Sequence, residues 1–353
     1  MNLTRPAPSR TAIFGLALTL SILTACDSTS SPSNSSTNRS PSAFSSTVAK
    51  SDVGNAHPSG ILYLRTEQGD SASRPSTTLR ALDPATGSTA VVREFVHPTN
   101  VAPSIDTNKA IRARNGFSPD LQRMAATKTV GSDNHVGWID AANTFIDISA
   151  HNASTNSFAN KPQDTSPTFD ATGAFYYLDL VAKAVMRVPA GAKNAELVRT
   201  ETFTPTGILR DNPKLYVSPT GTASVARSGG QHLYAELDTI GSGGELVDDW
   251  LSSDTFISQK AENPRGNPIY RCTTTPPQRA HMLDCADTPL TPRASDQDIS
   301  TPVASPDKSR IAFSARRDGT TKVYVIPATG GSPIEIERFL VTSDSVTLIQ
   351  WLP

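Results

Sequence analysis

A turn signature that recurs roughly every 40–50 residues constrains the fold of this chain more than any other feature. Its clearest unit is residues 300–338, which read as four short strands separated by three turns. The turns are Ser305-Pro306-Asp307, Arg317-Asp318-Gly319 and Thr329-Gly330-Gly331. Asp-Gly and Gly-Gly supply the positive-φ positions that tight hairpins need. Four short antiparallel strands in about 40 residues predict one blade of a β-propeller.

Degenerate copies of this unit precede it in the chain. They occupy residues 113–149, 165–199, 213–247 and 248–289. In the first two copies, Asp120 and Asp170 stand where Asp307 stands in the clearest unit. In the last copy, Ser252-Ser253-Asp254 takes that place. The recurrence predicts an all-β fold built from four-stranded antiparallel blades.

The two ends of the folded region are expected to complete each other. A front unit has three strands, Ile61–Thr66, Thr78–Asp83 and Ala90–Val96, and lacks an innermost one. Val346–Trp351 form a strand with no partner of their own. Because an unclosed propeller leaves open strand edges, which favour aggregation, we expect the C-terminal strand to join the first blade. The prediction is a six-bladed propeller over residues 53–353.

Two alternatives to this fold stay open. A two-sheet sandwich also accommodates some two dozen short strands with frequent turns, although the recurrence of one turn signature favours the propeller. A count of five or seven blades stays open as well, because the fourth and fifth units are hard to delimit.

Several segments of the 300–338 unit resemble the TolB-type, or PD40, propeller repeat. They are Ser305-Pro306-Asp307, Ile311-Ala312-Phe313-Ser314, Asp318-Gly319, Val323-Tyr324-Val325 and Gly330-Gly331. The resemblance is close in this unit, weaker in the others, and implies a TolB-like propeller. Members of the family carry an extra N-terminal domain, whereas here a linker leads straight into the first blade. The resemblance therefore does not imply a TolB partner.

The first 25 residues are typical of an export signal. Arg5 and Arg10 precede an apolar run, Ala12–Leu23, that is too short to span a membrane. The sequence Leu23-Thr24-Ala25-Cys26 resembles the lipobox of bacterial lipoproteins, which implies cleavage before Cys26 and lipid on its thiol. Two or more acyl chains give stable anchoring. An ordinary signal peptide with an incidental cysteine is the alternative.

Residues 26–52 are predicted to be a tether between the lipid and the propeller. Serine, threonine, proline and asparagine dominate this stretch, which cannot bury enough apolar surface to order itself. Asp27 resembles a signal for retention at the inner membrane, provided that the host is Gram-negative. The expected location is therefore the cell envelope, on the periplasmic face of the inner membrane in such a host.

Two further cysteines, Cys272 and Cys285, lie in short extended runs around a proline-rich turn. In an oxidising compartment an even pair favours a disulfide, and opposed hairpin positions bring cysteines within reach of each other. Two free thiols are the alternative. A metal role is disfavoured, since no Cys-x-x-Cys and no zinc-type histidine spacing is present.

The residue pattern does not favour catalysis. The six histidines are scattered, and no Gly-x-Ser-x-Gly elbow occurs. Asp120, Asp170, Asp307 and Gly319 are interpreted as repeat-turn residues, with the aspartates of the S-P-D turns bonding their own backbone. Calcium ligation by Asp120 and Asp307 is the alternative. We therefore expect neither a catalytic set nor a metal or other cofactor.

The function expected from these features is binding. A net charge of −1 without a basic block disfavours a nucleic-acid partner. We expect a membrane-tethered, non-enzymatic scaffold that binds another envelope protein or a peptide. A propeller that binds or cleaves a glycan, of the lyase or glycosidase type, is the alternative. A third role is scaffolding in outer-membrane protein assembly, which an inner-membrane location would disfavour.

Replacing the predicted lipidation residue tests the anchor. The Cys26→Ser variant lacks the thiol that would carry lipid, so we expect it to leave the membrane fraction and to lose incorporation of labelled palmitate. Cys272→Ser, which removes a different cysteine, serves as the control and should stay with the membrane. Membrane retention of Cys26→Ser would contradict lipid anchoring at this residue.

Overall fold

Short β-strands build this protein, whose structure is a computed structural model. It describes residues 58–67, 74–107, 109–149, 162–200, 214–217, 223–226, 247–252, 255–259, 267–274, 283–285, 288–291, 298–336 and 346–353. All of them belong to one unit, residues 53–353. Among the residues described, no helix is both long and apolar enough to cross a lipid bilayer.

The described residues form 22 strands and one helix. The first eleven strands are β1 (Gly60–Glu67), β2 (Ser76–Leu82), β3 (Thr89–Val96), β4 (Val101–Pro103), β5 (Met124–Val130), β6 (Asp133–Ile139), β7 (Phe145–Asp147), β8 (Asp164–Phe169), β9 (Phe175–Asp179), β10 (Ala184–Val188) and β11 (Glu196–Thr200). The remaining strands are β12 (Lys214–Val217), β13 (Ala223–Ala226), β14 (Val247–Trp250), β15 (Thr255–Gln259), β16 (Ile269–Thr274), β17 (Leu283–Cys285), β18 (Asp298–Ala304), β19 (Arg310–Arg317), β20 (Thr320–Pro327), β21 (Ile334–Glu335) and β22 (Thr347–Leu352). The helix, α1 (Ala110–Asn115), lies between β4 and β5.

These strands form an all-β propeller of antiparallel blades. Five sheets have four strands, in the orders β22-β1-β2-β3, β4-β5-β6-β7, β8-β9-β10-β11, β14-β15-β16-β17 and β18-β19-β20-β21. A two-stranded sheet, β12-β13, follows the third of them along the chain and packs against β8.

The prediction of six four-stranded blades is therefore wrong in number, because the described residues form five. The unit predicted at residues 213–247 accounts for the difference. The unit was predicted to extend to Val247, but that residue begins β14, where it is buried and pairs with Ser258 of β15. Residues 227–246 of the predicted unit lie outside the described residues.

The predicted closure is confirmed. β22 pairs antiparallel with β1, with Trp351 opposite Ile61 and Leu348 opposite Tyr63. The C-terminal strand thus takes the innermost position of the first blade, beside a strand from the other end of the folded region. Trp351 is buried there, and the guanidinium of Arg310 lies 5.0 Å from its ring centroid.

The innermost strands share an irregularity that the repeat pattern does not predict. The register shifts within β8, β14 and β18 and where β22 meets β1. In the second blade the innermost strand is instead interrupted, since β4 ends at Pro103 and Phe117 resumes the pairing opposite Met124. Residues 104–116, which include α1, are inserted at this interruption.

Apolar clusters join neighbouring blades. Between the first two blades, Leu62, Leu79 and Phe95 pack with Met124 and Phe117. Between the second and third, Trp138, which the sequence did not place, meets Phe175 edge-on at a centroid distance of 5.2 Å. Within the single blade β14-β15-β16-β17, Trp250 also meets Phe256 edge-on, at a centroid distance of 5.3 Å. The core is thus divided among the blade interfaces.

Truncating a core residue of the closing strand tests the importance of closure. Leu348 is fully buried between the last blade and the first, so Leu348→Ala should lower the free energy of unfolding by about 2–5 kcal/mol. Denaturant titration measures the change. Val91→Ala, at an exposed position of β3, is the control and should change stability by less than about 0.5 kcal/mol. Equal effects of the two substitutions would contradict the proposed closure.

Candidate functional site: the plugged central channel

The helix α1 lies in the central channel of the propeller. It contacts the inner strands β14, β18 and β22, although its chain neighbours belong to the second blade. Ala110 packs in one cluster with Val303 of β18 and Leu348 of β22. Ala113 packs in another with Ile349. Because innermost strands line the channel of a propeller, a helix touching three of them fills it. Residues 109–116 are called the plug below.

The plug depends on tertiary contacts for its helical form. α1 has six residues, and neither a side-chain cap at Lys109 nor an acidic residue supports its first turn. Arg112 and Arg114 lie in its last turn, where positive charge interacts favourably with the helix dipole. An isolated helix of this length is not stable in water, so the inner strands must hold it in place.

One of these contacts is a buried ion pair. Lys109 Nζ lies 3.0 Å from Asp248 Oδ2, and the Asp248 side chain is wholly inaccessible to solvent. The same oxygen accepts a hydrogen bond from Gln259 N at 2.8 Å. Asp248 Oδ1 is buried without a hydrogen-bond partner among the described residues. Burial raises the pKa of Asp248 to about 6, although the charge of Lys109 acts in the opposite direction.

The other end of the plug is held by hydrogen bonds. Arg114 Nε donates to Gln350 Oε1 of β22 at 2.6 Å, and Nη1 donates to Phe117 O at 3.1 Å. Burial lowers the pKa of Arg114 to about 10, which leaves it protonated at neutral pH. Asn115 O accepts a bond from Thr168 Oγ1 of β8 at 3.2 Å. The plug therefore links inner strands of four blades besides its own.

A second carboxylate lies beside Asp248 on β14. Asp249 Oδ2 accepts a hydrogen bond from Ala304 N at 2.8 Å, and Lys308 Nζ lies 3.8 Å from Oδ1. Burial raises the pKa of Asp249 against the effect of Lys308. The inner strand of this blade thus carries two adjacent acids, each facing a lysine from another blade.

A separate acidic group lies between the second and third blades. Ser149 Oγ donates a 2.5 Å hydrogen bond to Asp164 Oδ2. Burial raises the pKa of Asp164 to about 7, and the nearby charges of Asp179 and Asp147 add to this effect. His135 Nδ1 lies 2.9 Å from Asp147 Oδ2.

The repeat-turn residues lie within their own turns. Ser118 Oγ donates a hydrogen bond to Asp120 Oδ1 at 2.5 Å. The same oxygen accepts a second hydrogen bond from Gln122 N at 3.1 Å. The last blade has the same two bonds, because Asp307 Oδ1 accepts from Ser305 Oγ and from Ser309 N. There the Ser305 and Ser309 hydroxyls hold the pKa of Asp307 at about 2.

The two other repeat-turn residues also serve local turns. Asp170 Oδ1 accepts bonds from Thr172 N and Ala174 N, both at 2.9 Å. Gly319 adopts a φ of 76°, in the left-handed region that favours glycine. The four predicted turn residues therefore belong to three different blades, and the structure does not bring them together in one site.

The structure describes some of the cysteines and histidines considered in the sequence. Cys272 is disulfide-bonded and lies directly opposite Cys285 in the register of β16 and β17, as the predicted pairing requires. Cys26 lies outside the described residues. His97 is buried, with Nε2 2.9 Å from Thr77 Oγ1, and burial lowers its pKa. Within the described part of the chain, no group of three histidine, cysteine or acidic side chains is placed to hold a metal ion.

Neither Lys109 nor Asp248 was among the residues predicted from the sequence. Two adjacent acids before Trp250, in a stretch that becomes an inner strand, were a signal that could have identified Asp248. Nothing near Lys109 in the sequence points to Asp248, which follows it by 139 residues. The ion pair is a product of the propeller closing around the insertion.

Comparisons with known proteins give structural neighbours only. No family model matches the chain, and no curated protein matches it. TolB from Acinetobacter baumannii is similar over 83% of this chain and 66% of its own length, with 11% identity and a TM-score of 0.41. A putative TolB from Agrobacterium tumefaciens is similar over 78% of this chain and 92% of its own, with 12% identity and a TM-score of 0.39.

An enzyme is found among the similar structures as well. The similarity to an oligogalacturonate lyase in complex with manganese covers 77% of this chain and 72% of the lyase chain, with 9% identity and a TM-score of 0.35. At these identities and TM-scores, no activity, substrate or partner is transferred to this chain.

The raised pKa of Asp164 predicts a pH-dependent stability. Because the folded state binds this proton more tightly than the unfolded state, whose carboxyl titrates near 3.8, stability falls as the pH rises from about 4 to about 7. Asp164→Asn keeps an acceptor for Ser149 and removes the charge. We expect it to raise the free energy of unfolding by roughly 1–3 kcal/mol at pH 8 and to have little effect at pH 4.

Asp307→Asn is the matched control, because the pKa of Asp307 is shifted in the opposite direction. Its carboxylate contributes stability above pH 3.8 that is lost as the pH falls towards 2, so this variant should be less stable than the wild type at neutral pH. Denaturation curves from pH 2 to pH 8 measure both effects. A stabilising effect of Asp164→Asn that does not change with pH would contradict the assignment.

Proposed function

We propose that this chain is a membrane-tethered propeller of the cell envelope that binds another protein or a peptide and catalyses no reaction. Lipid on Cys26 would hold it at the membrane, and the segment up to residue 52 would let the propeller reach partners above the bilayer. In a Gram-negative host, Asp27 favours the periplasmic face of the inner membrane.

The observation that carries this proposal is the plug. Catalytic propellers commonly use residues that line the central channel, and here Ala110, Ala113 and the Lys109–Asp248 pair fill that position. A substrate would have to displace this helix before reaching the inner strands. Binding of a protein or peptide to a face of the propeller requires no access to the inner strands, which supports a binding role.

The described turns also favour a rigid scaffold. Asp120 and Asp307 each accept hydrogen bonds within their own turns, which supports a structural turn role for both. The TolB-like character of the repeat supports the same general role. The partner must be identified by experiment, because the family resemblance covers the propeller alone.

Capture from crosslinked envelopes tests the binding role. The tagged full-length chain should recover at least one specific protein from its native host. The control keeps the first 57 residues of this chain, with their lipidation site, and carries an unrelated soluble domain in place of the propeller. Recovery of no protein above this control would contradict the proposal.

Metal analysis of the purified full-length chain addresses the glycan alternative. Stoichiometric manganese or calcium, together with cleavage of an oligosaccharide, would favour a lyase or glycosidase. We expect neither, because the position where such propellers place their catalytic groups holds α1.

A further inference from the structure

We propose that the channel around Asp248 binds a lysine or arginine side chain of a partner peptide, and that Lys109 occupies this site as an internal substitute until the partner displaces it. The inference rests on the proposed binding function. It adds a site, a class of ligand and a means of control, because the site is open only when the plug has moved.

The first argument is the unusual state of Asp248. Its side chain is wholly buried on an inner strand, its carboxylate pairs with Lys109 Nζ at 3.0 Å, and the positive charge of Arg112 in α1 also acts on it. The second carboxylate oxygen, Oδ1, has no hydrogen-bond partner among the described residues. An incompletely satisfied buried ion pair stabilises a fold poorly compared with an apolar pair of the same volume, and the best-attested use of such pairs is in switches.

The second argument is the chemistry that the site would recognise. Asp248 is the buried acid of this site, whereas its neighbour Asp249 is bonded to Ala304 N and faces Lys308. Asp248 already holds one ammonium group, which demonstrates that an alkylammonium fits. A bare metal ion is a poorer candidate, since no three suitable ligands are grouped within the described residues. The favoured ligand is therefore a peptide cation.

The third argument is that the plug is held weakly enough to be exchanged. α1 has six residues and no side-chain cap, so it has little tendency to stay helical once its contacts are lost. The buried residues of α1 are Ala110 and Ala113. Burial of one methyl group stabilises a fold by only about 0.8 kcal/mol. Much of its attachment is thus polar, through Lys109 and Arg114.

Exchange of one cation for another avoids the main cost of opening the site. Removing Lys109 alone would leave the carboxylate of Asp248 buried and unpaired, which is strongly unfavourable. A partner lysine that enters as Lys109 leaves keeps the carboxylate paired, while Lys109 regains its hydration. Contacts elsewhere on the partner then decide the affinity.

A lysine-containing peptide binding to the full-length chain tests this proposal. The probe is the capped pentapeptide Ala-Ala-Lys-Ala-Ala, and the matched probe has glutamine in place of lysine. In the Lys109→Ala variant the internal competitor is gone, so the lysine probe should bind at least about tenfold more tightly than to the wild type. Its affinity should fall as salt is added, and the glutamine probe should not bind.

Two further variants make the test specific. Asp248→Asn, combined with Lys109→Ala, should abolish binding of the lysine probe. Lys322→Ala removes a lysine from another ion pair, with Glu335 on the outer strands of the last blade, and should leave the affinity of the wild type unchanged. Isothermal titration calorimetry measures all of these affinities.

Hydrogen exchange in the wild type keeps the proposal testable if Lys109→Ala does not fold. Saturating lysine probe should speed amide exchange across residues 109–116, whereas the glutamine probe should not. A folded Lys109→Ala variant with no gain in affinity would overturn the proposal. So would equal binding by the Asp248→Asn variant, or unchanged exchange of the plug in the wild type.

These outcomes differ from those that test the proposed function. A specific partner recovered from envelopes, together with failure of the peptide tests, would leave the binding function in place and reject the Asp248 site. Peptide binding at Asp248 without any recovered partner would support the site and count against the envelope role.

Discussion

The pairing of β22 with β1 is the interaction on which the rest of the structure depends. It joins strands that lie nearly 300 residues apart in the chain and gives the first blade its innermost strand. Without it, the inner edge of β1 would be unpaired, and the apolar cluster around Leu348 would be split. The channel exists because this pairing closes the ring, and the plug has inner strands to contact only once the channel exists.

The insertion in the second blade shows how residues can be added to the channel of a propeller while the blades keep their strands. Inner strands elsewhere carry a register shift at about the same depth. In the second blade this irregular point accommodates residues 104–116, and the pairing resumes at Phe117 with the S-P-D turn intact. Since the turn and the outer strands are unaffected, the insertion alters the channel while the blade interfaces keep their packing.

Much of the fold could be predicted from the sequence because it rests on local patterns. The S-P-D turn, Asp-Gly and Gly-Gly mark hairpins through backbone requirements that act within a few residues, and the strands between them alternate visibly. The closing role of Val346–Trp351 followed from a strand that lacked a neighbour. The blade count failed at residues 213–247, where glycines and polar residues interrupt the alternation and Val247 belongs to the next blade.

The candidate site could not be predicted in the same way. α1 is too short and too weakly capped to leave a periodic signal, and Lys109 meets Asp248 only through the ring as a whole. The predicted turn residues, by contrast, are fully explained by bonds within their own turns. Local sequence thus identifies the scaffold, whereas the centre of the channel is determined by tertiary packing.

The central claim is that the protein's own helix fills the channel in the absence of a partner. Amide hydrogen exchange of the unliganded full-length chain tests it directly at Ala113 and Gly116, whose N–H groups bond within the plug. We predict that both amides exchange at least about 100-fold more slowly than in an unstructured peptide. Exchange at the rate of an unstructured peptide, with β19 still protected, would contradict a plugged channel.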